Sequence, residues 1–373
     1  MFDVVQSVGD VAQLAKIRID YNVFRLHYTF TVVMLLTFFV ILTSTQIVGS
    51  PIACEYSTDK NLMELLDTYC YIHATFLNPD AFGKSVGDEI PHPGIDSSQN
   101  PTQFRYYRYY QWVYFIFFLQ AFMFYIPEWL WKIWEGQKIN NLVSSFEDVL
   151  LNETERRKKM DTIIRYLTKT WKMHYWYAVK YIFCEFLSLA NVVGQMYLLD
   201  KFFDGRFKTF GIRVVQFSRT QKQFTTYSNT TLNSKWDPKI MLFPRVTKCM
   251  FRRYGKTSNI ETYDALCIMT LNIISEKLFI FLWFWLVILA ALSSINLLVN
   301  LILVVIPIFR TYALRLRLHH INFTKLHALI MHGNYGDFFL LDLLSLNVDN
   351  ILFTELVREI SNELPGKQIV LQI

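Results

Sequence analysis

The sequence is poor in charge, in glycine and in proline, and each shortage excludes a class of protein. Only 18% of its 373 residues are Asp, Glu, Lys or Arg, against about 25% in an average soluble domain. Few charges together with 17% aromatic residues exclude an intrinsically disordered chain. With 13 Gly and 10 Pro, collagen-like and low-complexity chains are also excluded. A hydrophobic share of 53% and a mean hydropathy of +0.23 favour a membrane protein.

The sequence also lacks the common signatures of enzymes and cofactor sites. It contains no HExxH or Walker-type motif, and no GxGxxG between a strand and a helix. His319 and His320 are adjacent in a basic stretch, which is typical of a solvated surface. We therefore expect no catalytic residues, no metal, no cofactor and no nucleic-acid partner.

Long uncharged runs indicate membrane-spanning helices. Tyr28 to Val48, Tyr109 to Pro127 and Leu278 to Phe309 contain no charged residue over 21, 19 and 32 positions, and a span needs about 20 apolar residues. A fourth run, Tyr181 to Leu199, contains Glu185. It is either a buried helix of the soluble type or a span whose polar face meets protein or water. The second interpretation, which we favour, gives four spans.

Four spans place both termini on one side of the membrane. Lys and Arg are dense in the loop between spans two and three, which favours cytoplasmic termini. The loop between spans three and four is basic as well, but it exceeds the roughly 60 residues within which this rule applies. The first apolar run follows a mixed segment with Asp3, Asp10 and Asp20 and is too long for a typical signal-peptide core, so we expect no cleaved leader.

The placement of the cysteines strengthens this orientation. Cys54 and Cys70 lie between spans one and two, and Cys249 and Cys267 between spans three and four, so all four face one side. An even set on one face is typical of two disulfides in an oxidising compartment. Four free thiols or a metal site are the alternative, although the spacings are not those of zinc ligands. Three connectivities remain open, and Cys184, inside span three, is expected to be a buried apolar thiol.

These signals predict an all-α membrane protein with four transmembrane helices. They divide the chain into an N-terminal helix (1–24), span one (25–48), a first extracellular loop (49–108), span two (109–131), a cytoplasmic loop (132–175), span three (176–199), a second extracellular loop (200–277), span four (278–309) and a cytoplasmic tail (310–373).

Two local patterns concern a pore and a break in a helix. Apolar residues recur at helical spacing in the first 20 residues, which predicts a short amphipathic helix. This helix either lies on the inner membrane surface or folds into the mouth of a pore, with Asp3, Gln6 and Asp10 as the candidate pore-lining residues. Pro127, near the inner end of span two, removes a helical hydrogen bond and is expected to kink or end that helix.

Several motifs together resemble the innexins, the gap-junction proteins of invertebrates. The run Tyr109-Tyr110-Gln111-Trp112-Val113 (YYQWV), at the start of span two, is similar to the family signature. The resemblance covers about residues 20 to 360. It continues in YCYIHATF (69–76), PDAF (79–82), HPG (92–94), NVVGQ (191–195), FPRVTKC (243–249), LWFW (282–285) and GDF (336–338).

The resemblance implies a structural subunit of a gap-junction channel in the plasma membrane, with both termini cytoplasmic. Subunits are expected to form a ring around a pore for ions and small metabolites, octameric as in the family, with mixing among innexins left open. Two hemichannels of adjacent cells would dock through their outer loops. The family pattern implies two disulfide bridges that join the first outer loop to the second. It also implies a small amount of β structure in these loops and a helical cytoplasmic dome. Membrane lipids are a further expected partner.

One feature favours an alternative function. Asn229 begins the one glycosylation sequon of the outer loops, Asn-Thr-Thr, and a glycan at this position could obstruct docking. The alternative is therefore a non-junctional hemichannel of the plasma membrane. A four-span scaffold or adhesion protein without conduction is a third, more distant hypothesis.

Overall fold

The long apolar runs form long helices in a computed structural model of the chain, which describes residues 17–55, 60–97, 104–147, 153–227, 237–255, 257–318 and 321–363. The helices are, in chain order, α1 (Asn22–Val48), α2 (Lys60–His73), α3 (Val113–Glu135), α4 (Lys138–Glu147), α5 (Glu153–Lys169), α6 (Tyr175–Phe202), α7 (Phe210–Tyr227), α8 (Pro238–Leu242), α9 (Thr270–Val305), α10 (Pro307–Arg315), α11 (Phe323–His332), α12 (Tyr335–Ser345) and α13 (Asn350–Glu363).

Four of these helices, α1, α3, α6 and α9, have the length and composition of membrane spans. The described residues also form one small antiparallel sheet of five strands, in the order β1-β5-β4-β2-β3. The predicted fold class, an α-helical membrane protein with four spans and little β structure, is confirmed. The strands are β1 (Ala53–Glu55), β2 (Thr75–Leu77), β3 (Arg105–Tyr107), β4 (Val246–Tyr254) and β5 (Ile260–Ile268).

The chain divides into two compact units, and each is built from segments far apart in sequence. One unit holds the sheet and all four loop cysteines, and we call it the disulfide unit; it comprises Met34–Ala121 and Val192–Ile288. The other contains both ends of the sequence, and we call it the terminal unit; it comprises Met1–Val33, Phe122–Asn191 and Leu289–Ile373.

In the disulfide unit, the sheet brings together the loop between spans one and two and the loop between spans three and four. The hairpin of β4 and β5 is its longest ladder, with Val246 opposite Ile268 and Tyr254 opposite Ile260. The short strands β1, β2 and β3 come from the first loop and add to both sides of this hairpin. Because strand pairing satisfies backbone groups that a loop would leave to water, the two loops form one folded body.

In the terminal unit, aromatic side chains from several helices form the core. Trp131, Tyr181 and Phe339 are fully buried. The ring centroids of Trp131 and Tyr181 lie 4.9 Å apart, and those of Tyr181 and Phe339 lie 4.8 Å apart. Such pairs add about 0.5–1.5 kcal/mol beyond the area they bury. The tail helix α12, which contributes Phe339, is therefore packed against the spans rather than free.

The GDF motif of the tail lies at the beginning of α12. Asp337 accepts hydrogen bonds from the backbone N–H groups of Lys172 (3.0 Å) and Asn334 (2.9 Å), and its other oxygen lies 3.0 Å from Nδ1 of the buried His174. A Cβ at Gly336 would lie 2.1 Å from the backbone oxygen of His174. Only glycine allows this close approach of α12 to the start of α6.

Helix α9 extends beyond the uncharged run at its first end. It begins at Thr270, because Glu276 and Lys277 are paired within its first turns. The carboxylate of Glu276 lies 3.0 Å from Nη2 of Arg245 and 2.9 Å from Nζ of Lys277. These ion pairs reduce the cost of placing charges in the helix.

At its other end, α9 stops before a proline. Its 36 residues span about 54 Å, and Ile306 adopts an extended backbone before Pro307, which begins α10. The guanidinium of the buried Arg310 donates to the carbonyl oxygens of Leu303 (2.5 Å) and Val304. It therefore caps carbonyls that the end of a helix leaves without partners.

Helix α3 runs past Pro127 to Glu135. The expectation that Pro127 ends the helix is therefore wrong, and a kink at this position stays a prediction. A π-helical turn, Leu26–Phe30, interrupts α1 near its beginning, and no pattern in the sequence predicted it.

Candidate functional site

Two disulfides join the loop between spans one and two to the loop between spans three and four. Cys54 in β1 lies opposite Cys267 in β5 in the ladder and is bonded to it. Cys70, in α2, is bonded to Cys249 in β4. The bridges connect residues 213 and 179 positions apart in sequence. Closing loops of this size constrains the unfolded chain strongly, and each bridge is worth about 2–4 kcal/mol.

A carboxylate supports the first bridge. The backbone N–H of Cys54 donates to Oδ1 of Asp67, at 2.7 Å. Partial burial raises the pKa of Asp67, and the hydrogen bond from Cys54 lowers it in part. Asp67 lies in α2, so this contact links α2 to β1, next to the bridge.

Two residues of the YYQWV signature hold the end of α2. Nε2 of Gln111 donates to the carbonyl oxygens of Tyr71 (2.5 Å) and Ile72 (2.8 Å). The hydroxyl of Tyr110 donates to the carbonyl oxygen of Cys70 (3.2 Å). The last carbonyls of a helix have no partner within it. The signature thereby fixes the helix that carries one cysteine of the second bridge.

The other signature residues have different surroundings. Tyr109 packs among aromatic rings, with its centroid 5.3 Å from that of Phe203 and 5.8 Å from that of Phe243. Val113 is buried, whereas Trp112 is 59% exposed. Four of the five residues therefore pack within the disulfide unit, whereas Trp112 is exposed.

In the terminal unit, polar side chains meet inside the apolar spans. Nδ2 of Asn296 and Nδ2 of Asn300, both in α9, donate to the two carboxyl oxygens of Glu185 in α6, at 2.8 and 2.5 Å. One turn earlier in α9, Oγ of Ser293 lies 2.6 Å from Nε2 of His27 in α1. Buried polar groups in a membrane are costly without partners, so these contacts fix how α1, α6 and α9 pack in this unit.

A second polar cluster lies where the chain enters α1. Asp20 is buried; Oδ2 accepts from the hydroxyl of Tyr28 (2.6 Å), and Oδ1 lies 3.8 Å from Nε of Arg25. Burial raises the pKa of Asp20 to about 6, although Tyr28 and Arg25 lower it in part. The neighbouring Tyr21 donates to Oδ2 of Asp342 (2.5 Å), whose pKa burial also raises.

The residues before α1 are bound to the tail and to α3. The backbone N–H of Arg18 donates to Oδ1 of Asn347 (2.6 Å), and Nδ2 of Asn347 donates to the carbonyl oxygen of Arg18 (2.7 Å). Nε1 of Trp131 donates to the carbonyl oxygen of Ile19 (3.0 Å). The point from which the N-terminal segment extends is therefore fixed by both the tail and a span.

Several predicted site residues lie outside the described part of the chain. These are the pore-lining candidates Asp3, Gln6 and Asp10, and the sequon residue Asn229. Their roles stay predictions.

Sequence reasoning identified Glu185 but missed its partners. Asn296 and Asn300 are four residues apart in an otherwise apolar helix, so they share one helical face. That spacing was a usable signal for an acidic partner on another span. The roles of Gln111 and Tyr110 had no such signal, because they bind backbone carbonyls that any sequence carries.

Comparison with known proteins connects these features to one family. A family model described as Innexin matches residues 20–364. The chain is 37% identical to Innexin shaking-B of Drosophila melanogaster over 369 residues, which cover 99% of this chain and 96% of that protein. It is 38% identical to Innexin inx2 of Schistocerca americana over 371 residues, which cover 99% of this chain and 100% of that protein. Innexin inx1 of Schistocerca americana is 37% identical, with 98% of each chain covered.

Proposed function

The chain belongs to the innexin family, and from this premise we propose how it acts as a subunit of a gap-junction channel. Innexins are channel-forming proteins of gap junctions, and this chain is a multi-pass membrane protein of that kind. We infer a ring of subunits, octameric as implied by the family resemblance, that encloses an aqueous pore. Two such rings, one in each of two adjacent cells, dock through the disulfide units and pass ions and small metabolites. Rings of this chain alone and rings mixed with other innexins are both compatible with this function.

The observation that supports docking is the double connection between the two outer loops. Each residue that must be ordered when two surfaces meet subtracts from the affinity. Here the sheet, the bridges Cys54–Cys267 and Cys70–Cys249, and the contacts of Gln111 order the loops within one subunit. A surface held in shape before contact favours the intercellular channel over the undocked hemichannel.

The same bridges support an orientation. Disulfides form and persist in oxidising compartments, so the disulfide unit faces the cell exterior. An even number of spans then places both termini in the cytoplasm, in agreement with the basic loop between spans two and three.

Transfer of a fluorescent dye between paired cells tests the proposal. Cells that express the wild-type chain are expected to pass the dye to their partners. Cys70→Ser, which frees α2 from β4, is expected to abolish transfer while the protein still reaches the surface. Cys184→Ser, at the buried cysteine outside both bridges, is the matched control and is expected to transfer dye normally.

Two results would contradict the proposal. Normal dye transfer by Cys70→Ser would show that docking does not need loops that are joined by both disulfides. Wild-type cells that conduct across a single membrane but never exchange dye would establish the non-junctional hemichannel instead.

A further inference from the structure

A cavity of about 410 Å³ lies in the disulfide unit beside the beginning of α3, and gap-junction function does not explain it. Its lining comes from β3, from the residues just before α3, from the end of α6 and from α8. It combines the cationic side chains Arg105 and Arg108 with Asp204 and an aromatic wall that includes Tyr106, Trp112 and Phe202.

The cavity lies where two spans meet the membrane surface. Span α3 begins at Val113, directly after Trp112, and span α6 ends at Phe202, directly before Phe203 and Asp204. All of these residues except Val113 line the cavity. Side chains at the end of a span lie at the level of the lipid headgroups. Exposed Trp and Tyr are enriched at this level.

The charge of the cavity is only partly balanced. Nη2 of Arg105 lies 3.1 Å from Oδ2 of Asp204, a side chain that is 78% exposed. Nη1 of Arg105 is buried and has no hydrogen-bond acceptor among the described residues. Arg108 is exposed. Two guanidinium groups against one carboxylate leave a net positive charge, which suits an anionic group with several oxygen acceptors.

An exposed apolar strip leads from the cavity along α3. Trp112 is 59% exposed, and Phe115 and Leu119, at helical spacing from it, are 49% and 46% exposed. A ligand with a phosphate at the level of Arg108 and long apolar chains would cover this strip. A soluble anion would leave it uncovered.

We propose that the cavity binds the phosphate group of a membrane phospholipid, whose acyl chains lie along Trp112, Phe115 and Leu119. Arg105 and Arg108 hold the phosphate, and the aromatic wall contacts the glycerol region. Assignment of the site to the outer leaflet rests on the orientation proposed above. Binding itself does not, because the cavity lies at the ends of spans in either orientation.

The experiment measures lipid binding to the purified full-length chain in detergent by native mass spectrometry. The probes are dioleoyl phosphatidylcholine, dioleoylglycerol, which has the same chains without phosphate, and inorganic phosphate. The wild-type chain is expected to bind phosphatidylcholine about tenfold more tightly than dioleoylglycerol, as the loss of hydrogen bonds to charged groups implies. Arg105→Gln combined with Arg108→Gln is expected to remove this preference.

Two further variants separate binding from folding. Arg108→Gln alone changes an exposed side chain and is expected to weaken phosphatidylcholine binding severalfold without changing thermal stability. Arg213→Gln, at an exposed residue of α7 that does not line the cavity, is the matched control and should bind like the wild type. A phosphatidylcholine with a photoreactive headgroup should label a peptide that contains residues 104–112.

Each remaining outcome overturns the proposal. Equal binding of dioleoylglycerol would show that only the chains are recognised. Full displacement of the lipid by inorganic phosphate would identify a site for a soluble anion. Unchanged binding in the double variant, or labelling confined to other peptides, would place the lipid elsewhere.

Absence of dye transfer between cells would contradict the gap-junction proposal but leave this measurement unaffected.

Discussion

At the scale of single residues, Asp20 is the group with the clearest pH dependence. It is buried just before α1, and desolvation raises its pKa from 3.8 to about 6, against the opposing effects of Tyr28 and Arg25. Between about pH 4 and pH 6, the folded chain therefore retains a proton that the unfolded chain has lost. The contribution of Asp20 to the free energy of unfolding then decreases as pH rises through this window and is constant above it.

We predict that Asp20→Asn flattens this dependence. A shift of about two pKa units corresponds to at most about 3 kcal/mol, so the thermal midpoint of the wild-type chain in detergent should fall measurably between pH 4 and pH 6. The variant should lose most of this fall. A smaller slope of the same sign is expected to remain, because burial also raises the pKa of Asp342.

The matched control for this prediction is Asp349→Asn, which changes an exposed carboxylate of the same unit. It should keep the wild-type profile. An Asp20→Asn profile as steep as that of the control would show that Asp20 is ionised in the folded chain at pH 5.

At the scale of elements, the contact between α6 and α9 in the terminal unit depends on one carboxylate. Glu185 accepts from both Asn296 and Asn300, so its removal leaves two amides unpaired. Each unpaired buried group costs about 1–3 kcal/mol. We predict that Glu185→Ala lowers the free energy of unfolding by about 2–5 kcal/mol, and that Glu185→Gln, which keeps one acceptor oxygen, costs less.

Thermal unfolding of the purified protein measures this prediction. The control is Ser294→Ala in α9, because the hydroxyl of Ser294 donates only within its own helix, to Ala290. The control should unfold within a few degrees of the wild type. Equal midpoints for Glu185→Ala and Ser294→Ala would mean that the asparagines find other partners.

The elements also show what the sequence could and could not predict. Absence of charge located three of the four spans, because the apolar interior of a membrane excludes unpaired charge. The fourth, which contains Glu185, was located by its apolar composition despite that charge. The uncharged run did not predict the first turns of α9, where Glu276 and Lys277 are charged but paired. The sequence did not predict the strand register or the role of Gln111, since both depend on backbone groups that every residue type shares.

At the scale of the whole molecule, a ring of subunits multiplies each charge near its axis. If the N-terminal helix folds into the pore, the Asp3 and Asp10 side chains of all subunits form rings of negative charge, which favour cations. The contacts of Arg18 and Ile19 with Asn347 and Trp131 give that segment a fixed point of attachment. We therefore propose these aspartates, together with Gln6, as lining the pore.

We predict that Asp3→Asn with Asp10→Asn lowers the ratio of cation to anion permeability of single hemichannels. Measurement of the reversal potential under a salt gradient tests this. The control is Asp349→Asn, which lies in the tail and should leave the potential unchanged. A reversal potential equal to that of the wild type, with normal surface expression, would place the helix on the inner membrane surface instead.

The nesting of the two disulfides has a consequence for the timing of synthesis. The partner of Cys54 lies 213 residues later in the chain, and a ribosome adding about 5–20 residues per second needs roughly 10–40 s to reach it. The inner bridge, Cys70–Cys249, can close first, and the outer bridge only after β5 has been synthesised. Until Cys249 has been added, the two cysteines of the first loop are free to pair with each other, and that error must be reversed by thiol–disulfide exchange. The five-stranded sheet, which both bridges join, can therefore be completed only late in synthesis.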